Sequence, residues 1–142
     1  METNPRPILL IEDNPMDVDL TRRAFKRRKV INPLEVASDG QEALDYIQRW
    51  EDGETTPAVI LLDINIPKVN GLDVLRELKS KTRSQKIPVI ILTSSSEDAD
   101  IETAYQLGAT SSMVKQVNFE VFIALPSNIA LYWYVSNIPP PS

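Results

Sequence analysis

Short apolar runs alternate with longer amphipathic stretches along the chain, and this alternation constrains its fold more than any other feature. The five runs occupy residues 8–11, 34–37, 58–62, 89–92 and 112–114. The first, third and fourth are continuous aliphatic runs, which are typical of strands buried on both faces of a sheet. The pattern therefore predicts an α/β fold whose parallel strands are joined by right-handed helical crossovers.

The stretches between the runs carry the start and stop signals of helices. Asn14 is a suitable N-cap, and Pro15 suits the first turn, where a missing N–H costs nothing. Asp39 is a plausible cap for the second helix, and Gly108 is expected to end the fourth. The second, third and fourth helices are predicted over residues 40–47, 71–78 and 97–107, and a fifth begins near residue 118.

The composition excludes several kinds of chemistry. The 142 residues contain no Cys and no His, which removes disulfides, thiolate or imidazole metal ligands, and Ser-His-Asp triads. A formal net charge of −5 argues against nucleic acid as the main partner. The amino terminus lacks the order of a signal peptide, so a cytoplasmic location is expected.

Polar and charged side chains follow the apolar runs at the points where the predicted strands end. The first predicted strand ends in Glu12 and Asp13, the third in Asp63, the fourth in Thr93 and the fifth in Lys115. Functional groups of doubly wound folds gather at the carboxyl ends of the strands, so these five are expected to converge.

Three converging carboxylates repel one another unless a cation neutralises them. Mg²⁺ suits such a site because it takes oxygen ligands and keeps water positions open for phosphate. Asp63 is then the candidate nucleophile, since a carboxylate can attack phosphorus and form an aspartyl phosphate. Lys115 would neutralise charge on the phosphoryl oxygens, and Thr93 could donate its hydroxyl to one of them.

Four motifs in order resemble the receiver domain of two-component response regulators. They are the acidic opening at 8–15, the segment 61–67 with 70–72, the segment 91–94, and Gly108-Ala109 with Val114-Lys115. The resemblance implies a flavodoxin-like, doubly wound sheet of five strands in the order 2-1-3-4-5 with five helices. The closing Leu131-Tyr132-Trp133, followed by prolines, resembles a narrower group, the stand-alone regulators paired with bacterial phytochromes.

The resemblance also assigns roles to the site residues. It implies that Asp63 accepts a phosphoryl group from a kinase phosphohistidine. Asp13, Asp63 and the backbone carbonyl of Asn65 would hold Mg²⁺, with Glu12 acting through water. Thr93 and Lys115 would read the phosphorylated state.

A basic segment at residues 22–29 carries six Lys and Arg residues on the first predicted helix. One interpretation is a solvated helix face. The resemblance offers another, because the first helix of this family docks onto the kinase. Arg22, Arg23 and Lys26 would then steer the chain toward an acidic partner surface.

Two positions depart from the receiver pattern. The family usually has a proline after the strand-5 lysine, with a cis peptide bond, and here Gln116 follows Lys115. A cis bond before a non-proline residue costs about 2.5–4 kcal/mol, so this bond is expected to be trans. Ser112 stands where the family carries the aromatic residue of its switch.

The tail from residue 121 to 142 contains no charged residue. Pro126 is expected to break or kink the fifth helix, since an interior proline costs about 3 kcal/mol. A membrane anchor fails on length and on Pro126, Asn128 and Ser136, and a partly buried fifth helix does not explain apolarity all round. We expect a receiver domain at 1–125 and, at 126–142, an arm that forms a homodimer. The tail residues expected in that contact are Phe122, Ile129, Leu131, Tyr132, Trp133 and Tyr134.

The sequence therefore predicts a single-domain response regulator that is a phosphoryl acceptor and not a turnover enzyme. Its output would be a protein contact or a phosphorelay. One alternative is a receiver impaired in switching that acts as a dimeric docking module. Another is a phosphatase with an aspartyl-phosphate intermediate, but Asn65 stands where such enzymes place a general acid, and an amide cannot take that role.

Overall fold

Strands and helices alternate along the chain in the computed structural model, which describes residues 6–27, 30–93 and 100–114. The described elements are β1 Ile8–Ile11, α1 Pro15–Arg27, β2 Leu34–Ala37, α2 Gly40–Glu51, β3 Val59–Asp63, α3 Gly71–Ser80, β4 Val89–Thr93, α4 Asp100–Gln106 and β5 Ser111–Val114. None of the helices in these ranges has the length and apolarity needed to cross a membrane.

All five strands are parallel and form one sheet in the order β2-β1-β3-β4-β5. β1 pairs with β2 on one side and with β3 on the other, so the strand order reverses at β1. A doubly wound sheet has its binding crevice beside such a reversal, at the carboxyl ends of the strands. The predicted α/β architecture and strand order are confirmed. The predicted fifth helix, with its break near Pro126, lies outside the described residues.

The inner strands are buried on both faces, as their continuous aliphatic runs predicted. Leu9, Ile60 and Ile91 face a core that α2, α3 and α4 complete. Leu10 and Leu61 face the other side, where Val18 and Phe25 of α1 pack against the sheet. Each fully buried aliphatic side chain contributes about 1.5–3 kcal/mol relative to exposure, so these two layers fix the position of the strand ends.

The helices begin where side-chain caps are available. The Asn14 Oδ1 accepts the Met16 N–H at 2.9 Å, and α1 begins at the next residue after Asn14, as predicted. The Asp39 Oδ1 accepts the Glu42 N–H at 2.8 Å, and Asn70 caps α3 in the same way. α4 is described from Asp100 to Gln106, and its predicted start at residue 97 lies outside the described residues.

Candidate functional site

Three carboxylates meet at the carboxyl edge of the sheet. Glu12 and Asp13 follow β1, and Asp63 is the last residue of the neighbouring strand β3. Each offers a carboxylate oxygen, and these oxygens lie within 4.8 Å of one another. Glu12 and Asp63 are only 1% and 6% exposed, whereas Asp13 faces solvent. The structure thus brings together the three acids that the sequence placed after separate strands.

Backbone N–H groups hold two of these acids in place. The Glu12 N–H donates to the Ala37 carbonyl at 3.0 Å and so extends the pairing of β1 with β2 by one residue. The Asn14 N–H donates to Glu12 Oε2 at 3.2 Å. The Asn65 N–H donates to Asp63 Oδ1 at 2.9 Å. Hydrogen bonds to ionised acceptors are the stronger kind, so these contacts orient the carboxylates at the edge of the sheet.

The β3–α3 loop, residues 64–70, turns back tightly against β3. The Gly71 N–H donates to the Ile64 carbonyl at 3.1 Å. A Cβ at position 71 would lie 2.5 Å from the Ile64 carbonyl oxygen and 2.9 Å from that of Asp63. Because no side chain fits there, glycine at position 71 lets α3 begin directly behind Asp63.

Lys68 and Asp39 form an ion pair beside this loop, with Nζ 3.1 Å from Oδ2. Lys68 has a φ of 69°, in the left-handed region. The pKa of Asp39 lies below its usual value of 3.8, chiefly because its carboxylate accepts the Glu42 N–H. Burial of the carboxylate opposes this lowering, and the nearby Lys68 adds to it. Lys68 could not be identified from sequence, because a lysine with positive φ leaves no pattern of apolar spacing or turn residues.

The hydroxyl candidate, Thr93, belongs to the other half of the sheet. Thr93 ends β4 and pairs in register with Val114, the last residue of β5, and Ser112 pairs with Ile91. Lys115 follows Val114 in sequence. Several predicted residues lie outside the described ranges. They are Lys115, Gln116 and the residues expected in the dimer contact, Phe122, Ile129, Leu131, Tyr132, Trp133 and Tyr134.

The three predicted docking residues are exposed on α1. Arg22, Arg23 and Lys26 lie in the second half of this helix. The Arg23 Nε lies 3.0 Å from the Asp19 carboxylate one turn earlier, and both side chains are exposed. Exposed pairs of this kind contribute about 0.2–1 kcal/mol and stay accessible to a partner.

The clustered acids fit a divalent cation. Their donor set consists of oxygens alone, which is the set that Mg²⁺ prefers. Two of the three carboxylates are buried, and burying negative charge is costly unless a counter-charge accompanies it. The three carboxylates of Glu12, Asp13 and Asp63 together therefore fit a divalent cation.

A concavity separate from the acidic cluster lies at the opposite, amino-terminal end of the sheet. It measures about 700 Å³, and its walls include Arg6, Tyr46, Arg49 and Trp50. The Arg49 guanidinium already stacks 4.1 Å from the centre of the Tyr46 ring and lies 3.5 Å from Glu54. Because Arg49 is paired with Tyr46 and Glu54, its guanidinium is already engaged within this wall. The acidic cluster is therefore the candidate site for chemistry.

Comparisons with known proteins agree with this geometry. The model of the response regulator receiver domain matches residues 8–125. The chain is 38% identical over 138 residues to the probable methanogenesis regulatory protein FilR2 of Methanothrix harundinacea, covering 96% of this chain and 89% of that protein. It is 32% identical over 135 residues to the response regulator Rcp1 of Synechocystis, covering 93% and 92%.

Solved structures show the same fold over nearly the whole chain. The bacteriophytochrome response regulator RtBRR is 45% identical, with a TM-score of 0.76 over 96% of this chain and 85% of that one. The Mn²⁺-bound form of Rcp1 is 30% identical, with a TM-score of 0.80 over 97% and 100%. The family match over residues 8–125 and the identities to these proteins show that the chain belongs to the family of response regulator receiver domains.

Proposed function

We propose that this receiver domain accepts a phosphoryl group on Asp63 from a sensor histidine kinase in a Mg²⁺-dependent reaction. The observation that carries the proposal is the position of Asp63. It ends β3, is 6% exposed, and has a carboxylate oxygen within 4.8 Å of those of Glu12 and Asp13. Its Oδ1 accepts a hydrogen bond from the Asn65 N–H, which restrains the orientation of the carboxylate.

The proposed step is a transfer between two nucleophiles. An Asp63 oxygen forms a bond to phosphorus, the bond from phosphorus to the kinase imidazole nitrogen breaks, and that nitrogen keeps the electron pair. The 142 residues contain no histidine, so the phosphohistidine belongs to the kinase. The phosphoryl group stays on the protein as a signal, which is why the chain is proposed as an acceptor and not as a turnover enzyme.

Mg²⁺ is the proposed cation of this site. Asp13, Asp63 and the backbone carbonyl of Asn65 would hold it, with Glu12 acting through water. When bound, it supplies positive charge that neutralises the phosphoryl oxygens during transfer. The related Rcp1 was solved in a Mn²⁺-bound form, which supports a divalent cation here.

Thr93 and Lys115 are proposed to sense the phosphoryl group. The pairing of Thr93 with Val114 brings the ends of β4 and β5 together, beside the strand that carries Asp63. A hydroxyl and an ammonium at these positions suit the oxygens of an aspartyl phosphate.

A bacterial phytochrome kinase is the proposed partner, in the cytoplasm. The support is the 45% identity to the bacteriophytochrome response regulator RtBRR. Arg22, Arg23 and Lys26 form the proposed docking surface, since their charges are exposed on α1. Output is proposed to pass by protein contact or by phosphorelay.

A homodimer through the C-terminal arm is the proposed assembly. The receiver domain would comprise residues 1–125, and the family match ends at the same residue. The arm at 126–142 carries no charge to oppose burial between two copies. Phe122 and the aromatic run 132–134 would supply most of the buried area.

A receiver impaired in switching is the second candidate function. Ser112 in β5 stands where the switch aromatic is expected, and Gln116 replaces the usual proline. Beryllofluoride mimics a phosphoryl group. If its binding leaves the NMR signals of α4 and β5 unchanged, the docking module is favoured; shifted signals favour the switching receiver.

Transfer from a labelled sensor kinase tests the first proposal. We expect label to move to the wild-type chain in the presence of Mg²⁺, and not to the Asp63→Asn variant. Asp45→Asn, which changes an exposed acid on α2, is the matched control and should accept label normally. Equal labelling of Asp63→Asn and wild type would contradict Asp63 as the acceptor.

A further inference from the structure

The β3–α3 loop is attached to the start of α2 at three points outside the acidic cluster. The Gly40 N–H donates to the Pro67 carbonyl at 3.1 Å. Gly40 also packs so closely on Val69 that a Cβ at position 40 would lie 2.2 Å from its carbonyl oxygen. The third point is the ion pair between Lys68 Nζ and Asp39 Oδ2, at 3.1 Å.

Lys68 adopts a backbone conformation that lysine rarely takes. Among the described residues it is the only non-glycine with a positive φ, at 69°. The left-handed region is unfavourable for a residue with a long side chain, so surrounding contacts must hold it there. The Asp39 side chain is only 12% exposed and is itself fixed as the N-cap of α2, which makes it a firm partner for the ammonium.

The same loop carries Asn65, three residues before Lys68. The Asn65 N–H donates to Asp63 Oδ1, and the Asn65 carbonyl is the proposed backbone ligand of Mg²⁺. The ends of the loop are secured by the bond between Gly71 and Ile64 and by the burial of Ile66. The ion pair adds a contact at the exposed middle of the loop, where Lys68 is 67% exposed.

We propose that Lys68 is a positioning residue. Its ion pair with Asp39 holds the β3–α3 loop so that the Asn65 backbone stays in place for Asp63 and for the cation. The part that concerns Mg²⁺ rests on the function proposed above, whereas the part that concerns the Asn65 N–H does not.

A double-mutant cycle isolates the ion pair. Lys68→Asn removes the ammonium but keeps a residue that tolerates positive φ. Asp39→Asn removes the carboxylate charge but keeps an oxygen that can cap α2. Lys68→Arg keeps the positive charge and serves as the rescue variant.

The matched control is the pair of Glu77 and Lys81 at the carboxyl end of α3, where Lys81 is the C-cap and the separation is also 3.1 Å. Lys81→Asn and Glu77→Gln should leave both readouts below unchanged. Urea unfolding of every variant separates a local effect on the loop from a general loss of stability.

The first readout is hydrogen exchange of the Asn65 amide, measured by NMR without metal. We expect exchange about twofold to fivefold faster in Lys68→Asn, in Asp39→Asn and in the double variant, with no further gain on combining them. Lys68→Arg should exchange like wild type. Unchanged exchange in Lys68→Asn, or additive effects of the two substitutions, would overturn the proposal.

The second readout is the Mg²⁺ dissociation constant, measured by calorimetry. We expect it to rise about twofold to fivefold in the same variants, and an unchanged constant would overturn the role of Lys68 toward the cation. If wild type binds no Mg²⁺, the proposed metal site fails, and the Asn65 exchange rates still decide whether Lys68 positions the loop.

Discussion

The reactivity proposed for Asp63 depends on where β3 ends. The preceding residues of the strand are aliphatic and buried on both faces, so the first polar side chain stands at the edge of the core. It meets Glu12 there because β1 and β3 are neighbours in the sheet. Asp63 thereby combines burial, a hydrogen bond from the Asn65 N–H and two acidic neighbours.

The charge of Asp39 predicts that the stability of the fold depends on pH. Its pKa is lowered, chiefly by the Glu42 N–H, so the charged carboxylate stabilises the folded state above the unfolded-state value of 3.8. This stabilisation is lost as the pH falls through the folded-state pKa. We expect wild type to be more stable than Asp39→Asn at neutral pH, with the difference shrinking in acid.

Urea unfolding at about pH 7 and about pH 3 measures this difference. Asp45→Asn, an exposed acid of the same helix, is the control. A gap between wild type and Asp39→Asn that stays constant from neutral pH to acid would contradict the assignment.

The residues of the site differ in how far the sequence could predict them. Glu12, Asp13 and Asp63 were predictable because each follows an aliphatic run whose end marks the edge of the sheet. Lys68 was not, since its importance comes from a backbone angle and from a partner 29 positions away in sequence. Such contacts depend on loop geometry, which apolar periodicity does not encode.

The close approach of α3 to β3 predicts that any side chain at position 71 lowers the stability of the fold. Gly71→Ala would place a methyl group 2.5 Å from the Ile64 carbonyl oxygen and 2.9 Å from that of Asp63. We expect a loss of about 1–3 kcal/mol in unfolding free energy, as for other overpacked sites. The displaced Asp63 backbone should also weaken Mg²⁺ binding.

Urea unfolding and calorimetry test the Gly71→Ala variant. Ser80→Ala, at the exposed far end of the same helix, is the control and should change stability by less than about 0.5 kcal/mol. Wild-type stability in Gly71→Ala would show that the loop yields easily, contrary to the close packing described above.

The basic half of α1 predicts an electrostatic effect on the rate of encounter with the kinase. Reversing the charge at Arg22 and Arg23 should lower phosphotransfer about tenfold at low salt, because steering by complementary charge acts on association. The deficit should shrink as salt screens the charges. Transfer rates measured across a salt series test this expectation.

A variant with Lys81→Glu and Arg83→Glu has the same change in net charge at another surface and serves as control. Its transfer rate should stay near that of wild type. An unchanged rate for the α1 variant at low salt would leave the basic helix as a solvated face.

Prediction from sequence succeeded best for the inner elements. β1, β3 and β4 were recognisable because strands covered on both faces need continuous aliphatic side chains. β2 was weaker because it is an edge strand, where only Ala37 of its four residues is buried. Element bounds were displaced by a residue or so, as at β3, which begins at Val59 and not at residue 58, although it ends at Asp63 as predicted.

Across the whole molecule, the net charge of −5 conceals three regions of different charge. α1 is basic, the carboxyl edge of the sheet is acidic, and residues 121–142 carry no charge. The uncharged segment predicts self-association through the arm. We expect the full chain to be a dimer, and both truncation after Leu125 and Trp133→Asp to give monomers.

Size-exclusion chromatography with light scattering measures the assembly, and circular dichroism checks that each variant is folded. Glu54→Gln, an exposed change far from the arm in sequence, is the control and should remain dimeric. A full-length chain that is monomeric at tens of micromolar contradicts the dimer.

Phosphorylation of Asp63 is the central claim, and intact-protein mass spectrometry tests it most directly. The chain is incubated with a small phosphoryl donor such as acetyl phosphate, with and without Mg²⁺. We predict that wild type gains the mass of one phosphoryl group only when Mg²⁺ is present, and that Asp63→Asn gains none. A wild-type chain that gains no mass with Mg²⁺, or an Asp63→Asn variant that gains as much as wild type, would contradict the account.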